Sequence, residues 1–239
     1  MTGLALGLVV AAGRARRMGC EGNKLFLPVQ GRSLLVHTLM ALAECEILDA
    51  LCLVCREEEI SRMERDVVAV CATQKIQAVI AGGVQRKDSV RKGLLWAMEQ
   101  QRWDVVAIHD GARPLISKET VARCVQSAME HGSGVAAVPV IDTIKAANPE
   151  GWVLHTLDRS TLWNIQTPQA FSLSRILDCY ERGEEEGVSL SDDAQLMERL
   201  GLPVKLVMGA YDNIKVTTPE DLSLVETLLG QGREEGKGL

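Results

Sequence analysis

Short apolar runs alternate along the chain with longer stretches in which apolar residues recur at helical spacing. Residues 4–11, 50–54, 77–81, 105–108 and 135–140 are rich in Val, Leu, Ile and Ala and show little polar alternation. Runs of this kind fit strands buried on both faces. Residues 33–43, 57–68, 89–100 and 117–131 predict helices, with Ser33 placed to cap the first of them. Strand–helix alternation of this regularity predicts a largely parallel sheet with helices on both faces, joined by right-handed crossovers.

The pattern changes after Val140. Residues 141–163 carry short β-like pieces (143–145 and 152–157) and no helical period. This segment predicts a β-arm that leaves the sheet. Helices resume at 173–186 and 192–200, strands at 204–208 and 214–216, and a last helix at 219–229 begins with Pro219 after a Thr218 cap. Residues 231–239 are polar and Gly-rich and predict a frayed tail. There are no repeats and no low-complexity linker. The expected architecture is one α/β domain over residues 1–239, a Rossmann-like three-layer sandwich with a mostly parallel sheet and a protruding β-arm.

Composition narrows the function. The net charge is -6 and aromatics make up 3% of the 239 residues, so neither general nucleic-acid binding nor a base-stacking platform is expected. No apolar run approaches the length of a membrane span, and the N-terminus has no signal-peptide pattern. An odd number of scattered cysteines, seven, fits free thiols and a cytoplasmic setting. Cys52 and Cys55 have CxxC spacing, but three residues apart on a strand they point to opposite faces, and no second CxxC exists to complete a zinc site.

Polar signals gather at strand ends, where open α/β sheets bind ligands. Ala11-Ala12-Gly13 closes the first strand and is followed by Arg14, Arg16, Arg17 and Lys24, against a single acid, Glu21. The segment has neither GxGxxG nor the GK[ST] ending of a Walker loop. Small residues there let the backbone approach a ligand, and the cations favour a polyphosphate over a merely solvated loop. Gly82-Gly83 precedes Arg86, Lys87, Asp88 and Ser89; the glycines are candidates for a base pocket, and Ser89 for either that pocket or a helix cap. At the end of another strand, Asp110 is suited to a ribose hydroxyl, a substrate hydroxyl, a metal or a salt bridge with Arg113. Asp158-Arg159 in the arm and Asp212-Asn213-Ile214-Lys215 near the end add further charge.

In their order and spacing these pieces resemble the 2-C-methyl-D-erythritol 4-phosphate cytidylyltransferase family. The matching stretches are "AAGRARRMG…NK", "GG…R.DSV", "HDGARP", "VIDTIK", "TLDRSTLWNIQTPQAF", "SDDAQLME" and "DNIKVTTPEDL", and they run from residue 11 to 222. Ribitol 5-phosphate cytidylyltransferases share many of them, and a non-catalytic nucleotide-binding protein would keep the sheet but lose the cations. The resemblance implies attack of a sugar-alcohol phosphate on the α-phosphorus of CTP, with pyrophosphate leaving and Mg²⁺ held mainly through the CTP phosphates. It implies catalytic roles for Arg17, Lys24, Arg159 and Lys215, and a CTP pocket at Ala11, Ala12, Gly13, Gly83 and Ser89. It implies an acceptor site at Asp110, Arg113, Thr143, Arg159, Ser191 and Lys215. Ser191 stands where threonine is expected, and keeps the hydroxyl; Gly111 stands where alanine is common. The resemblance also implies a homodimer in which exchanged arms bring Thr143 and Arg159 to the neighbour's site. Elementary chemistry agrees with this reaction. A phosphomonoester has its second pKa near ~6 and is a dianion at neutral pH, so the chemistry needs cations rather than a general base.

Overall fold

A computed structural model describes residues 3–13, 22–184 and 191–235. In chain order the elements are β1 (Ala5–Val10), β2 (Pro28–Val29), β3 (Arg32–Ser33), α1 (Leu34–Ala43), β4 (Ala50–Cys55), α2 (Ile60–Met63), α3 (Ala69–Cys71), β5 (Ile76–Ala81), α4 (Arg86–Glu99), β6 (Val105–Asp110), α5 (Lys118–His131), β7 (Ser133–Pro139), β8 (Lys145–Ala147), β9 (Val153–Thr156), β10 (Trp163–Ser172), α6 (Leu173–Glu184), α7 (Ala194–Arg199), β11 (Leu206–Met208) and α8 (Pro219–Glu235). A π turn at Glu64–Val68 joins α2 to α3.

The central sheet has seven strands in the order β11-β7-β10-β6-β1-β4-β5. β1 pairs in parallel with β4 and with β6, β4 with β5, and β7 with β11; β10 runs antiparallel between β6 and β7. The apolar runs of β1 and β4 bury both faces. Ala5, Val9, Leu51, Leu53 and Cys55 join one core with α1, α5 and α8, while Leu6, Leu8, Ala50, Cys52 and Val54 join a second with α4, α6 and α7. Cys52 and Cys55 thus sit in opposite cores, and burial lifts both thiols to about 12, as expected of residues that pack rather than react. No helix among the described residues is long and apolar enough to cross a membrane.

Caps set the helix boundaries. Ser117 Oγ accepts the Thr120 N–H at 3.2 Å at the start of α5, and Gly132 ends that helix at a φ of 84°, where a side chain would be strained. At α8 the Asp221 N–H donates to Thr218 Oγ1 at 3.3 Å, while the Asp221 carboxylate accepts the Thr218 N–H at 2.9 Å. That helix runs to Glu235, so most of the expected frayed tail is helical; residues 236–239 lie outside the described residues.

Three sequence expectations need correction. The N-terminal boundary of α4 lies at Gln85, not Ser89, with the Gln85 N–H donating to the Asp88 carboxylate at 2.9 Å. Residues 214–216 form no ladder. Instead the Val216 N–H donates to Ala112 O at 2.9 Å, which lays this segment across the end of β6. The third correction is β10, which the sequence pattern did not predict. The β-arm is present as the antiparallel β8–β9 hairpin, and it leaves Trp152, Val153 and Leu154 largely exposed.

Candidate active site

The carboxyl ends of four adjacent strands open into one cleft of about 710 Å³. Ala12 and Gly13 follow β1, residues 56–58 follow β4, residues 82–86 follow β5, and residues 110–112 lie at the end of β6; Lys24, Ser89, Lys92 and Lys215 add polar lining. β1 and β6 are the pair at which strand order reverses, the place where such sheets bind ligands. Among the described lining residues, five cations (Lys24, Arg56, Arg86, Lys92, Lys215) stand against three carboxylates (Glu57, Glu58, Asp110). The local sign is therefore opposite to the chain's net charge of -6.

Lys24 is placed by its neighbour. Buried Asn23 donates to Ala11 O at 3.0 Å and to the Glu59 carboxylate at 2.9 Å, and its Oδ1 accepts the Leu25 N–H at 3.1 Å. One amide side chain thus ties the end of β1 to the helical turn that carries Lys24. Glu59 is held in turn by Arg56. The Lys24 ammonium donates to Val216 O, next to Lys215.

On the opposite wall, Gly83 N–H donates to Ser89 Oγ at 3.0 Å, and Ser89 Oγ donates to Gln85 O at 3.2 Å. A Cβ at Gly83 would lie 2.3 Å from Asp88 Cβ, and one at Gly82 would lie 2.6 Å from Ser89 Oγ. Only glycine lets this strand end close against the first turn of α4.

The floor is a charge cluster around Asp110. Its carboxylate is 2.8 Å from Lys215 Nζ, 3.4 Å from Arg86 Nε and 3.7 Å from Arg113 Nε. Burial opposes ionisation, but Arg86, Lys215 and Arg113 outweigh it and hold the Asp110 carboxyl well below the usual carboxylate range. Arg113 Nη1 also donates to Asn213 O at 2.7 Å, and Asn213 Nδ2 donates to Thr167 O at 2.9 Å. Behind Asp110 lies buried His109. Its Nε2 is 3.2 Å from Arg113 O and its Nδ1 3.1 Å from Thr167 Oγ1, which also accepts the Asp110 N–H at 3.1 Å. The carbonyl requires a proton on Nε2, and burial disfavours a second proton, so the ring is neutral and Thr167 Oγ1 donates to Nδ1.

That neutrality has a pH signature. Burial lowers the His109 pKa to about 4. Between there and the ordinary value near ~6.5, the unfolded chain takes up a proton that the folded chain refuses, so stability falls as pH falls through this window. The Asp110 contribution, present above the carboxylate range, is lost only at more acid pH. Urea unfolding is expected to lose roughly 1.5 kcal/mol between pH 6.5 and 5 through this histidine. His109→Gln should flatten that slope, and an unchanged slope would refute the assignment.

The expected site residues divide into groups. Ala12, Gly13, Lys24, Gly83, Ser89, Asp110 and Lys215 line the cleft, and Ala11 and Arg113 support it through hydrogen bonds and ion pairing. Arg17, with Arg14 and Arg16, lies outside the described residues. Thr143 and Arg159 are exposed on the arm and do not line this chain's cleft; Arg159 Nη1 donates to Ile141 O at 2.7 Å. Ser191 is exposed, does not line the cleft either, and donates its N–H to Gln195 Oε1 at 3.0 Å. Arg56, Arg86 and Lys92 line the cleft without having been singled out as site residues. Arg56 had a legible signal, because it directly follows the strand that ends at Cys55, as Gly82 follows β5.

A mostly parallel sheet with a cation-lined cleft at its switch point, walled by glycines against a helix start, describes a nucleotidyltransferase. The family model for 2-C-methyl-D-erythritol 4-phosphate cytidylyltransferase (IspD) matches residues 6–231, and the chain belongs to that family. A relative of that name from Dehalococcoides mccartyi is 43% identical over 226 residues, covering 95% of this chain and 96% of the relative. One from Alkaliphilus oremlandii is 39% identical over 227 residues, covering 95% of each. The solved 4-diphosphocytidyl-2C-methyl-D-erythritol synthase of Anaerococcus prevotii superposes with a TM-score of 0.83 at 28% identity, over 96% of this chain and 97% of that one. The 2-C-methyl-D-erythritol 4-phosphate cytidylyltransferase of Thermus thermophilus gives 0.75 at 31% identity, over 95% and 98%.

Proposed function

We infer that the chain transfers the cytidylyl group of CTP to 2-C-methyl-D-erythritol 4-phosphate in isoprenoid biosynthesis, releasing pyrophosphate. The observation that carries this reading is the switch-point cleft, cationic in an acidic chain of this family. The family match also favours methylerythritol phosphate over ribitol phosphate as acceptor.

The chemistry follows from the charges. An oxygen of the acceptor phosphate dianion bonds to the α-phosphorus while the bond from that phosphorus to the pyrophosphate oxygen breaks. Two polyanions must meet, and charge grows on the departing pyrophosphate. Cations fixed beforehand meet that charge without reorganising. Lys24, with Arg17, serves the triphosphate; Lys215 and Arg159 serve the incoming phosphate. Asp110 and Arg113, with Thr143 and Ser191, hold the acceptor, and Ala11, Ala12, Gly13, Gly83 and Ser89 form the nucleotide wall. Asp110 already answers three cations and is poorly placed to give itself to a metal. Mg²⁺, when bound, would rest on the triphosphate rather than on this carboxylate and would neutralise charge there.

Thr143 and Arg159 reach a site only if the arm crosses to a second subunit. The exposed arm residues Trp152 (75%) and Leu154 (64%) support a homodimer with exchanged arms. Six free cysteines among the described residues accord with a cytoplasmic setting.

The test of the reaction is pyrophosphate release with Mg²⁺, comparing CTP with ATP and methylerythritol phosphate with ribitol 5-phosphate. Turnover is expected with CTP and methylerythritol phosphate and to be far slower with ATP, because the Gly82, Gly83 and Ser89 wall of the cleft is the part assigned to reading the cytosine. Equal rates with ATP and CTP would refute the pocket assignment.

A further inference from the structure

Arg86 faces two ways. It lines the cleft with its side chain 33% exposed, and its guanidinium grips Asp193, which is 0% exposed and lies outside the cleft lining. Nη1 and Nη2 each donate to one Asp193 oxygen at 2.8 Å, while Nε is 3.4 Å from Asp110 Oδ1. Arg86 is also the first residue of α4, at the positive end of the helix dipole, where a cation is electrostatically misplaced. Two carboxylates offset that placement.

Asp193 fastens a turn. It receives the Tyr180 hydroxyl at 2.6 Å from α6 and directly precedes α7. Gln169 on β10 holds the same turn: its Oε1 accepts the Ala194 N–H at 3.0 Å and its Nε2 donates to Asp192 at 3.2 Å. Residues 191–194 are thus pinned from α4, α6 and β10, and Ser191 opens this turn. None of Arg86, Tyr180, Gln169 or Asp193 has a part in the chemistry described above.

We propose that Arg86 is a positioning residue for the acceptor: its fork on Asp193 and its Nε on Asp110 fix the 191–194 turn and the end of β6 against the nucleotide wall carried by α4. This rests on the reaction assigned in the preceding subsection. A lysine keeps the charge but cannot hold both carboxylates in fixed directions, because an ammonium is a point charge and a guanidinium a planar fork.

The test uses the full-length enzyme, with CTP and methylerythritol phosphate varied separately and thermal melts run in parallel. Arg86→Lys should raise KM for methylerythritol phosphate by roughly tenfold or more, as loss of positioning does, and leave KM for CTP within about twofold. Tyr180→Phe, which removes one bond to Asp193 and exposes no bare charge, should move the same constant in the same direction by less. If Arg86→Lys does not fold, Tyr180→Phe decides: a selective rise in acceptor KM supports the proposal and unchanged constants overturn it. Equal rises in both KM values, or a lower melting temperature with normal kinetics, mark a purely structural pair and also overturn it. A wild-type enzyme inactive on these two substrates would defeat the assigned reaction and this role together, whereas an active wild type with unselective variants defeats the role of Arg86 alone.

Discussion

Lys24→Ala is expected to lower kcat by roughly two to three orders of magnitude while the protein stays folded, the scale of losing one preorganised transition-state donor. The scaffold around the residue explains why fold and activity should separate. Asn23 makes the hydrogen bonds that anchor this turn, to Ala11, Glu59 and Leu25, and none of them uses the Lys24 side chain. Leu25 supplies the buried contact. The ammonium is aimed by its bond to Val216 O, beside Lys215, so it is poised before substrate arrives. On the proposed role its value is greatest when negative charge is greatest, as pyrophosphate departs. Steady-state kinetics with a thermal melt provides the check. A near-normal kcat with a raised KM for CTP would instead mean that Lys24 binds ground state and transition state alike. Arg17→Ala should behave in the same way.

Mixing two nearly inactive variants, Lys24→Ala and Arg159→Ala, should restore activity once subunits exchange. Lys24 lines its own chain's cleft, while Arg159 sits on the exposed arm and lines no part of that cleft. In a dimer with exchanged arms, a mixed pair carries both lesions in one site and neither in the other. Random pairing makes about half the dimers mixed, each with one intact site, so activity returns to roughly a quarter of wild type by the symmetry of a closed dimer. If both residues served the same chain's site, every site would keep a lesion and mixing would restore nothing. A silent mixture, with exchange confirmed by mass spectrometry of differently labelled subunits, would refute the shared site.

Much of the sheet was legible because β1, β4, β6 and β7 are apolar runs of strand length, and burial on both faces is what such runs encode; β5 is a similar run but lies at the sheet edge and is only half-buried. β10 escaped for the converse reason. Its middle reads Gln166-Thr167-Pro168-Gln169, and a proline among polar residues argues against a strand. The ladder takes that proline at a register shift between Ile165 and Gln169. Gln166, Thr167 and Gln169 are buried because Asn213, His109 and the 191–194 turn use their polar atoms. Polarity that signals solvent in an isolated sequence here signals support for the site. Residues 214–216 misled in the opposite sense: Ile214 and Val216 read as a strand, yet Val216 instead fastens the segment that carries Lys215 beside the end of β6. The cationic strand-end loops could be read because charge beside small residues is conspicuous. Arg86 remained one basic residue among several until its partner Asp193, distant in sequence, was brought against it.

Dissolved salt would act unequally on the charges of this molecule. Asp110 and Asp193 are almost sealed from solvent, so mobile ions reach their pairs with Arg86 far less readily than they reach an exposed cation. Lys215 is 41% exposed and Arg159 is open to solvent. At a physiological Debye length of about 8 Å, the exposed cations are screened and the sealed pairs much less so. On the roles proposed for Lys215 and Arg159, rising ionic strength should loosen the hold on incoming polyanions well before it loosens the fold, so that the salt content of the surroundings would govern how readily substrate is captured rather than whether the protein stands.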